Sequence, residues 1–541
     1  MKHANPKSPL LAAAIAALTG LAAASQLQAA PACDLASFKA PANTTLVSAT
    51  AFSEPVNYCR IDGYVTTTNP GPNQVNFMLA LPERHNGRYV FTIQGGAAAF
   101  VPNPTATQLT NGYAIASTDK GVRAAHLLDF SFRDDPAQSL DWAHRGVHVV
   151  AQATQEITRA HYGTDTLHRF AMGCSGGGDG TLSAAENHPG DFDGYIAAAM
   201  TTSPLEISMI WGKITQHIVN HPEAWITPED LVKVEKVILD HYDAADGARD
   251  GLIWDPTVIT LDRSRLDFLS DPQFDVLTMI QEGIDEGGEA YYPGFWMSNP
   301  SAFTNFLFGM KPPPWGPEDR PPEVPSGWVV ADTGSKAIRK DPSFSLLTDF
   351  DFTSAEDLLE DRRLNVARGR ESFHPTDLKG LRDSGGKLIL WTGSADQAVP
   401  PENILNYTRD ADQVFSPEGR QGFIQSYFVP GMFHCVGGTN HPTDVPEVLL
   451  DAAAQWVASG QAPEAVIAST GKGDDVFPAM IGGGQTNQQM ARRMAMLKAQ
   501  SDGPVRSYLL CPWPKKSVFK GGLDNPEGLD VNDAGNWRCE G

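Results

Sequence analysis

The feature that most constrains this chain is a short glycine-rich stretch, Ala171-Met172-Gly173-Cys174-Ser175-Gly176-Gly177-Gly178. It follows an apolar run that begins near His168 and precedes a helix-like segment. Glycines two residues before and two after a serine, the G-x-S-x-G spacing, let the chain turn sharply from strand to helix and leave the hydroxyl exposed. The plainer alternative is a flexible glycine-rich loop. The strand before it and the helix after it decide against that. A turn of this type needs a sheet behind it, built from repeated strand and helix units.

Those units can be read in the sequence. Residues 75–81, 88–93, 113–117 and 169–173 have the β-rich apolar character of strands, and 142–162 reads as a long helix ended by Gly163. The repetition from 62 to 200 predicts a mostly parallel sheet covered on both faces. The stretch from 201 to 376 breaks the pattern. It opens with helical signals: Thr227 as N-cap, Pro228 in the first turn, Asp230 three residues on, and Leu231, Val234, Val237 and Ile238 on one face. It then becomes loop-rich, and the proline-dense run at 311–325 excludes a central strand or helix. Strand and helix units resume at 387–393 (KLILWTG), 425–431 (QSYFVPG) and 446–459. The expected fold is α/β, with one catalytic domain at 30–200 and 377–541 interrupted by an inserted second domain at 201–376.

A serine in such a turn becomes a nucleophile only with a base, and the base needs an orienting carboxylate. The α/β-hydrolase order is Ser, then Asp or Glu, then His, each at the C-terminal end of a strand. Asp396 lies just past KLILWTG and His434 just past QSYFVPG. Taken singly, Asp396 reads as a turn cap and His434 as an ordinary loop histidine. The order and the strand ends together favour a triad. The oxyanion hole would use the Gly176 amide and one from Gly95 or Gly96 in the turn after an early strand. Cys174 precedes the serine and Cys435 follows the histidine, so a triad would bring these two within the roughly 7 Å Cα spacing a disulfide needs.

The N-terminus bears on all the cysteines. Lys2 and Lys7 precede an apolar run that gives way to small residues near Ala29, which predicts a secretory signal peptide over 1–29 and a periplasmic or secreted protein. That run is shorter than the roughly 20 residues of a membrane span, and no later stretch is long and apolar enough for one. In an exported chain, disulfides are the default for all six cysteines. A net charge of −23 argues against a nucleic-acid groove and an anionic membrane surface, which leaves small molecules or neutral polymers as partners. A hydrophobic fraction of 41% excludes a disordered chain. Neither a P-loop nor a dinucleotide fingerprint occurs in context, so no redox or nucleotide cofactor is expected.

With Cys-Ser in the turn, a separate Asp, and His-Cys in the segment 430–438 (PGMFHCVGG), the chain resembles the tannase and feruloyl esterase family, which also contains mono(2-hydroxyethyl) terephthalate hydrolases. Segments 114–121, 145–148 and 191–197, Cys511-Pro512-Trp513-Pro514 and the late Cys539 carry the likeness along the chain. It is thinnest in the insertion, which the resemblance implies is a lid domain over 201–376. The resemblance implies an esterase acting on esters of aromatic acids, with Ser175 as nucleophile, His434 as base then acid, and Asp396 as its orienter. It also implies Cys511–Cys539 as a second bridge, with Cys33–Cys59 left for the remaining pair. It further implies a structural calcium in the lid, held by Asp243, Asp246 and Asp250 with the carbonyls of Ala248 and Leu252. Calcium takes six to eight oxygens, which suits that donor set. The bland reading is an acidic, solvated helix end, and an EF-hand is excluded because its closing Glu is missing.

The chain departs from the family pattern in two places. Gly178-Asp179 stands where an Arg is usual after the turn's second glycine, and Gly121-Val122 where a Gly-His pair is common. Both lie near the expected site, so the substrate is expected to differ from those of well-known members. Two other readings compete: an exported aromatic-acid-binding protein on an inactive hydrolase scaffold, and a peptidase or lipase of the same fold. Six lid tryptophans, Trp211, Trp225, Trp254, Trp296, Trp315 and Trp328, are candidates for an aromatic acyl pocket. For any one of them, core packing is the commoner role.

Overall fold

The central strands alternate their side chains between two hydrophobic cores, and this fixes the architecture. Tyr89, Phe91 and Ile93 enter one core, while Val90 between them enters the other. Leu388 and Leu390 divide from Ile389 and Trp391 in the same way. Strands apolar on both faces must be covered on both, which is the condition for a parallel sheet between helical layers. The computed structural model describes residues 33–202, 207–286, 289–316, 318–367, 369, 372–470 and 505–541. The expected signal peptide at 1–29 lies outside these.

In chain order the strands are β1 (Thr44–Phe52), β2 (Tyr58–Thr67), β3 (Asn73–Pro82), β4 (Arg88–Ile93), β5 (Ala114–Thr118), β6 (His168–Cys174), β7 (Gly194–Ala198), β8 (Gly283–Glu286), β9 (Glu289–Pro293), β10 (Lys387–Gly393) and β11 (Ile424–Val429). All but the β8/β9 hairpin form one nine-stranded sheet in the order β1-β2-β3-β5-β4-β6-β7-β10-β11. From β5 to β11 the pairing is parallel. β1, β2, β3 and β5 pair antiparallel and extend one edge. The first of these strands carries no strong sequence signal, because β1 is Thr-, Ser- and Ala-rich and buries none of its residues fully.

The helix Gly146–Tyr162 packs on one face and ends at Gly163, which adopts φ 61° as a left-handed cap. The helix Val445–Ser459 covers the other face. Between β7 and β10 the chain builds a separate apolar cluster from the helices Ile207–Asn220, Pro228–Tyr242, Asp271–Glu282 and Ser326–Arg339. As the sequence indicates, Thr227 caps the second of these by accepting from Asp230 N, and Leu231, Val234 and Ile238 are buried. The inserted segment is pinned where it returns: Phe373 N donates to Thr202 O at 2.8 Å. C-terminal to the sheet lie two small antiparallel pairs, β12 (Val466–Ser469) with β13 (Ser507–Leu510) and β14 (Lys516–Phe519) with β15 (Trp537–Glu540). None of the helices among the described residues is long and apolar enough to cross a membrane.

Candidate active site

Ser175 follows β6 directly and caps the helix Gly176–Asn187, with φ 59° and ψ −128°. A non-glycine residue at positive φ is strained, and the strain persists only where its surroundings hold it. Here Ser175 N donates to Ala198 O at 3.0 Å, and its carbonyl accepts from Asp179 N at 2.9 Å. The glycines are required by close approach. A Cβ on Gly173 would strike Gly177 O, one on Gly177 would strike Ile93 O, and one on Gly178 would strike Ala198 O. Gly178 is therefore part of the turn, since the backbone of β7 leaves no room for a side chain there. Asp179 accepts from Thr201 N at 2.8 Å and from its hydroxyl at 3.1 Å, which ties the first turn of the helix to the end of β7.

Asp396 and His434 reach the same rim from β10 and β11. His434 Nδ1 lies 2.8 Å from Asp396 Oδ2, with the aspartate side chain fully buried and the histidine 17% exposed. The carboxylate is fixed by the amides of Ala398 (2.9 Å) and Val399 (2.8 Å) on Oδ1. Gln397 Oε1 accepts the His434 amide at 3.0 Å and holds the loop itself. Cys174 and Cys435 are bridged with their Cα atoms 5.9 Å apart, so the loop carrying His434 is joined to the turn carrying Ser175. Cys33–Cys59 and Cys511–Cys539 are also bridged. No direct Ser175–His434 hydrogen bond is formed among the described residues. Catalytic hydrogen bonds often tighten only when substrate arrives.

Ser175 and Gly176 line a pocket with Gly96, Phe130, Trp142, Trp211, Ile207, Met209 and Val330, and Arg133 is among its polar lining residues. Gly96 belongs to this lining, whereas Gly95 backs onto the carbonyl of Cys174. Of the six candidate tryptophans, Trp211 alone lines this pocket. The others pack elsewhere: Trp225 Nε1 donates to Phe308 O, Trp296 Nε1 to Glu402 and Trp315 Nε1 to Lys311 O, while Trp254 stacks on Trp537 at 4.5 Å. Phe130 and Trp142 are pocket residues that the sequence did not single out. Trp142 sits in a π-type turn, Asp141–Arg145, ahead of the long helix, and its Nε1 donates to Gly96 O at 3.0 Å. Buried Asp141 anchors the turn by accepting from Thr67 (2.7 Å) and Asn73 (2.8 Å). Such a widened turn re-aims a side chain, a frequent device at functional sites.

The acidic loop lies apart from the pocket. Asp243 Oδ1 accepts from the amides of Asp250 (3.2 Å) and Gly251 (3.0 Å), and Asp246 from that of Ala248 (3.0 Å). Asp250 ion-pairs with Arg506 and caps the amide of Leu252 at 3.1 Å. Burial and the charge of Asp250 push the Asp246 carboxyl up to about 8, and burial also raises Asp243. Among the described residues, the three carboxylates do not form a set whose donors all lie within 4.8 Å of one another.

Comparison with known proteins gives the same family along most of the chain. Residues 59–528 match the family model described as tannase and feruloyl esterase. An uncharacterised esterase of Xanthomonas campestris pv. campestris is 27% identical, covering 97% of this chain and 93% of the relative. A probable feruloyl esterase B-1 of Aspergillus terreus is 24% identical over 75% of this chain and 78% of its own length. Among solved structures, feruloyl esterase B from Aspergillus oryzae superposes with a TM-score of 0.74 at 19% identity, covering 94% of this chain and 99% of its own. Tannin acyl hydrolase from Aspergillus niger reaches 0.64 at 17% identity, over 92% and 90%. The strand-to-helix serine turn, the nine-stranded sheet and the family match agree: this chain is a carboxylic ester hydrolase of the tannase and feruloyl esterase family.

Proposed function

We propose that this chain is an exported serine esterase that cleaves esters of aromatic acids through an acyl-enzyme on Ser175. The observation that carries the reading is the His434 Nδ1–Asp396 Oδ2 contact of 2.8 Å, buried and disulfide-linked to the serine turn. Ser175 Oγ attacks the ester carbonyl while His434 Nε2 takes its proton, and Asp396 holds the imidazole with Nδ1–H as donor. The developing oxyanion accepts from the amides of Gly176 and Gly96. Gly96 is the donor chosen from that turn because it lines the pocket with Ser175 and Gly176, whereas Gly95 backs onto the Cys174 carbonyl. His434 then protonates the leaving alcohol, and water releases the acid by the reverse sequence. Phe130, Trp142 and Trp211 support the aromatic acyl assignment, because three ring systems beside the serine favour a flat acyl group. The inserted segment acts as the lid.

The test is a panel of hydroxycinnamate, gallate, terephthalate and short aliphatic esters on wild type and Ser175→Ala. Turnover of the aromatic esters, lost in the variant, is the expected result. Wild-type rates in Ser175→Ala would sink the mechanism, and a preference for aliphatic esters would sink the substrate class.

The loop from Asp243 to Leu252 is proposed as a structural calcium site. Its donor types fit, since three carboxylates and two carbonyls are hard oxygens of the kind calcium takes. Bound calcium would neutralise the carboxylates and stabilise the loop, with no part in the ester chemistry. Calcium found at one equivalent by mass spectrometry is the expected result, and its absence from undialysed protein would overturn the assignment.

A further inference from the structure

Away from the serine, His148, His188 and Asp191 converge. Among the described residues they are the one set of three or more His, Cys, Asp or Glu side chains whose donor atoms all lie within 4.8 Å of one another. His148 comes from the helix Gly146–Tyr162, His188 caps the C-terminal end of the helix Gly176–Asn187, and Asp191 lies in the turn before β7. His148 Nδ1 sits 2.7 Å from Asp191 Oδ2, and the two imidazoles stack with centroids 3.7 Å apart and planes 11° from parallel. The carboxylate is held from behind: Gln152 Nε2 donates to its Oδ1 at 2.6 Å, Gln155 Nε2 donates to Asp191 O at 2.9 Å, and Asp191 N donates to His188 O at 3.0 Å.

We propose that these three side chains form a site for a divalent transition-metal ion of the zinc type. A tetrahedral ion about 2.1 Å from each donor sets the donors roughly 3.4 Å apart. The 2.7 Å His148–Asp191 pair is closer than that, and the stacked rings aim their lone pairs along parallel planes, so binding opens the pair and swings one imidazole out of the stack until both nitrogens face the ion. The metal takes the place of the proton shared by His148 and Asp191, and water fills the open position. Outer hydrogen bonds from Gln152 and Gln155 orient the aspartate, as partners around metal sites do. Two imidazole nitrogens select zinc, nickel or copper over calcium, which prefers an all-oxygen shell. His148 is 33% exposed, which provides an entry path. The site lies at the far end of the serine helix, about 18 Å from Ser175 at 1.5 Å per residue. Its role is a clamp that ties that helix to its neighbour, and it takes no part in ester cleavage.

The experiment titrates zinc sulfate into the calcium-saturated full-length protein by calorimetry, with thermal melts and ester turnover measured in parallel. One zinc per chain is expected, not displaced by calcium, together with a higher thermal midpoint. In His188→Asn and in His148→Asn, affinity should fall by about tenfold or more. The zinc-dependent rise in midpoint should disappear, while zinc-free turnover stays at wild-type level. Two variants keep the test decisive if one misfolds. Unchanged zinc isotherms in both, no binding by millimolar zinc, or loss of the zinc in His434→Gln instead would each overturn the proposal.

Discussion

At Ser175 the backbone holds φ 59°, and the surrounding glycines exist to permit it. Because the mechanism places all bond-making on that hydroxyl, Ser175→Ala should lower kcat by about 10⁵-fold or more while leaving the melting curve unchanged. Asp396→Asn should keep the geometry but lose the imidazole tautomer, at a cost of about 10⁴-fold in kcat. Stopped assays on an activated aryl ester measure both. Two other buried residues contribute to the response of stability to pH, and they pull in opposite directions. Burial lowers His441 to about 4, so the native state stays neutral while the unfolded chain takes up a proton below about 6.5. That contribution is therefore lost as pH falls from about 6.5 to about 4, and amounts to about 3 kcal/mol. Burial raises Asp119 to about 6 despite its hydrogen bonds from Asn76 and Gly121. Over the interval from about 4 to about 6 the native state holds the extra proton, so this contribution falls as pH rises, again by about 3 kcal/mol. The two offset in wild type. Relative to wild type, His441→Gln should shift the change in stability from pH 7 to pH 4.5 in the stabilising direction, whereas Asp119→Asn should shift it in the destabilising direction. Denaturant melts at pH 4.5 and pH 7 decide, and parallel curves for all three proteins would refute the opposition.

Among the elements, the turn and the loop that meet at Cys174–Cys435 are held by a bridge spanning 261 residues of sequence. Opening it with the double change Cys174→Ser, Cys435→Ser should lower the melting midpoint, by an amount bounded by the roughly 5–6 kcal/mol expected for so long a loop. It should also reduce kcat more than it changes KM, because the His434 loop loses its tie to the serine. Cys33→Ser with Cys59→Ser should affect stability alone. Steady-state kinetics and thermal melts on the two double variants separate these effects. The same elements explain what the sequence revealed. Asp396 and His434 could be placed because β10 and β11 are short apolar runs with unmistakable ends, and strand ends are where such residues gather. β1 could not, since its half-buried Thr and Ser residues carry little periodic signal. The pocket wall was equally hidden. Trp142 reads as the start of a helix, and only Asp141, bonded to Thr67 and Asn73 some seventy residues earlier in sequence, creates the π-type turn that aims it at Gly96. Phe130 meets Val330 and Trp211 through long-range packing that no local pattern encodes.

In the whole molecule, the pocket belongs neither to the sheet nor to the insertion. Phe130 and Trp142 come from the β5-to-β6 connection, while Ile207, Trp211 and Val330 come from the segment between β7 and β10. Trp211 joins the two most directly, since its indole N–H donates to Ala398 O at 2.8 Å and the Ala398 amide in turn donates to Asp396. Under the proposed mechanism, one side chain therefore shapes the acyl wall and steadies the loop that orients the base. The two roles separate by substitution. Trp211→Phe keeps an aromatic wall and deletes the hydrogen bond, so it should lower kcat while KM for a hydroxycinnamate ester moves little. Trp211→Ala removes the wall as well, and the lost contact area should raise KM for that ester by about 10- to 100-fold, the range set by 1–3 kcal/mol of apolar contact. An acetyl ester of the same alcohol does not reach the ring pocket, so its KM should be nearly unchanged in both variants. Equal losses for acetyl and aromatic esters in Trp211→Ala would show that the residue only supports the fold. A selective loss for the aromatic ester places the acyl ring between the insertion and the sheet.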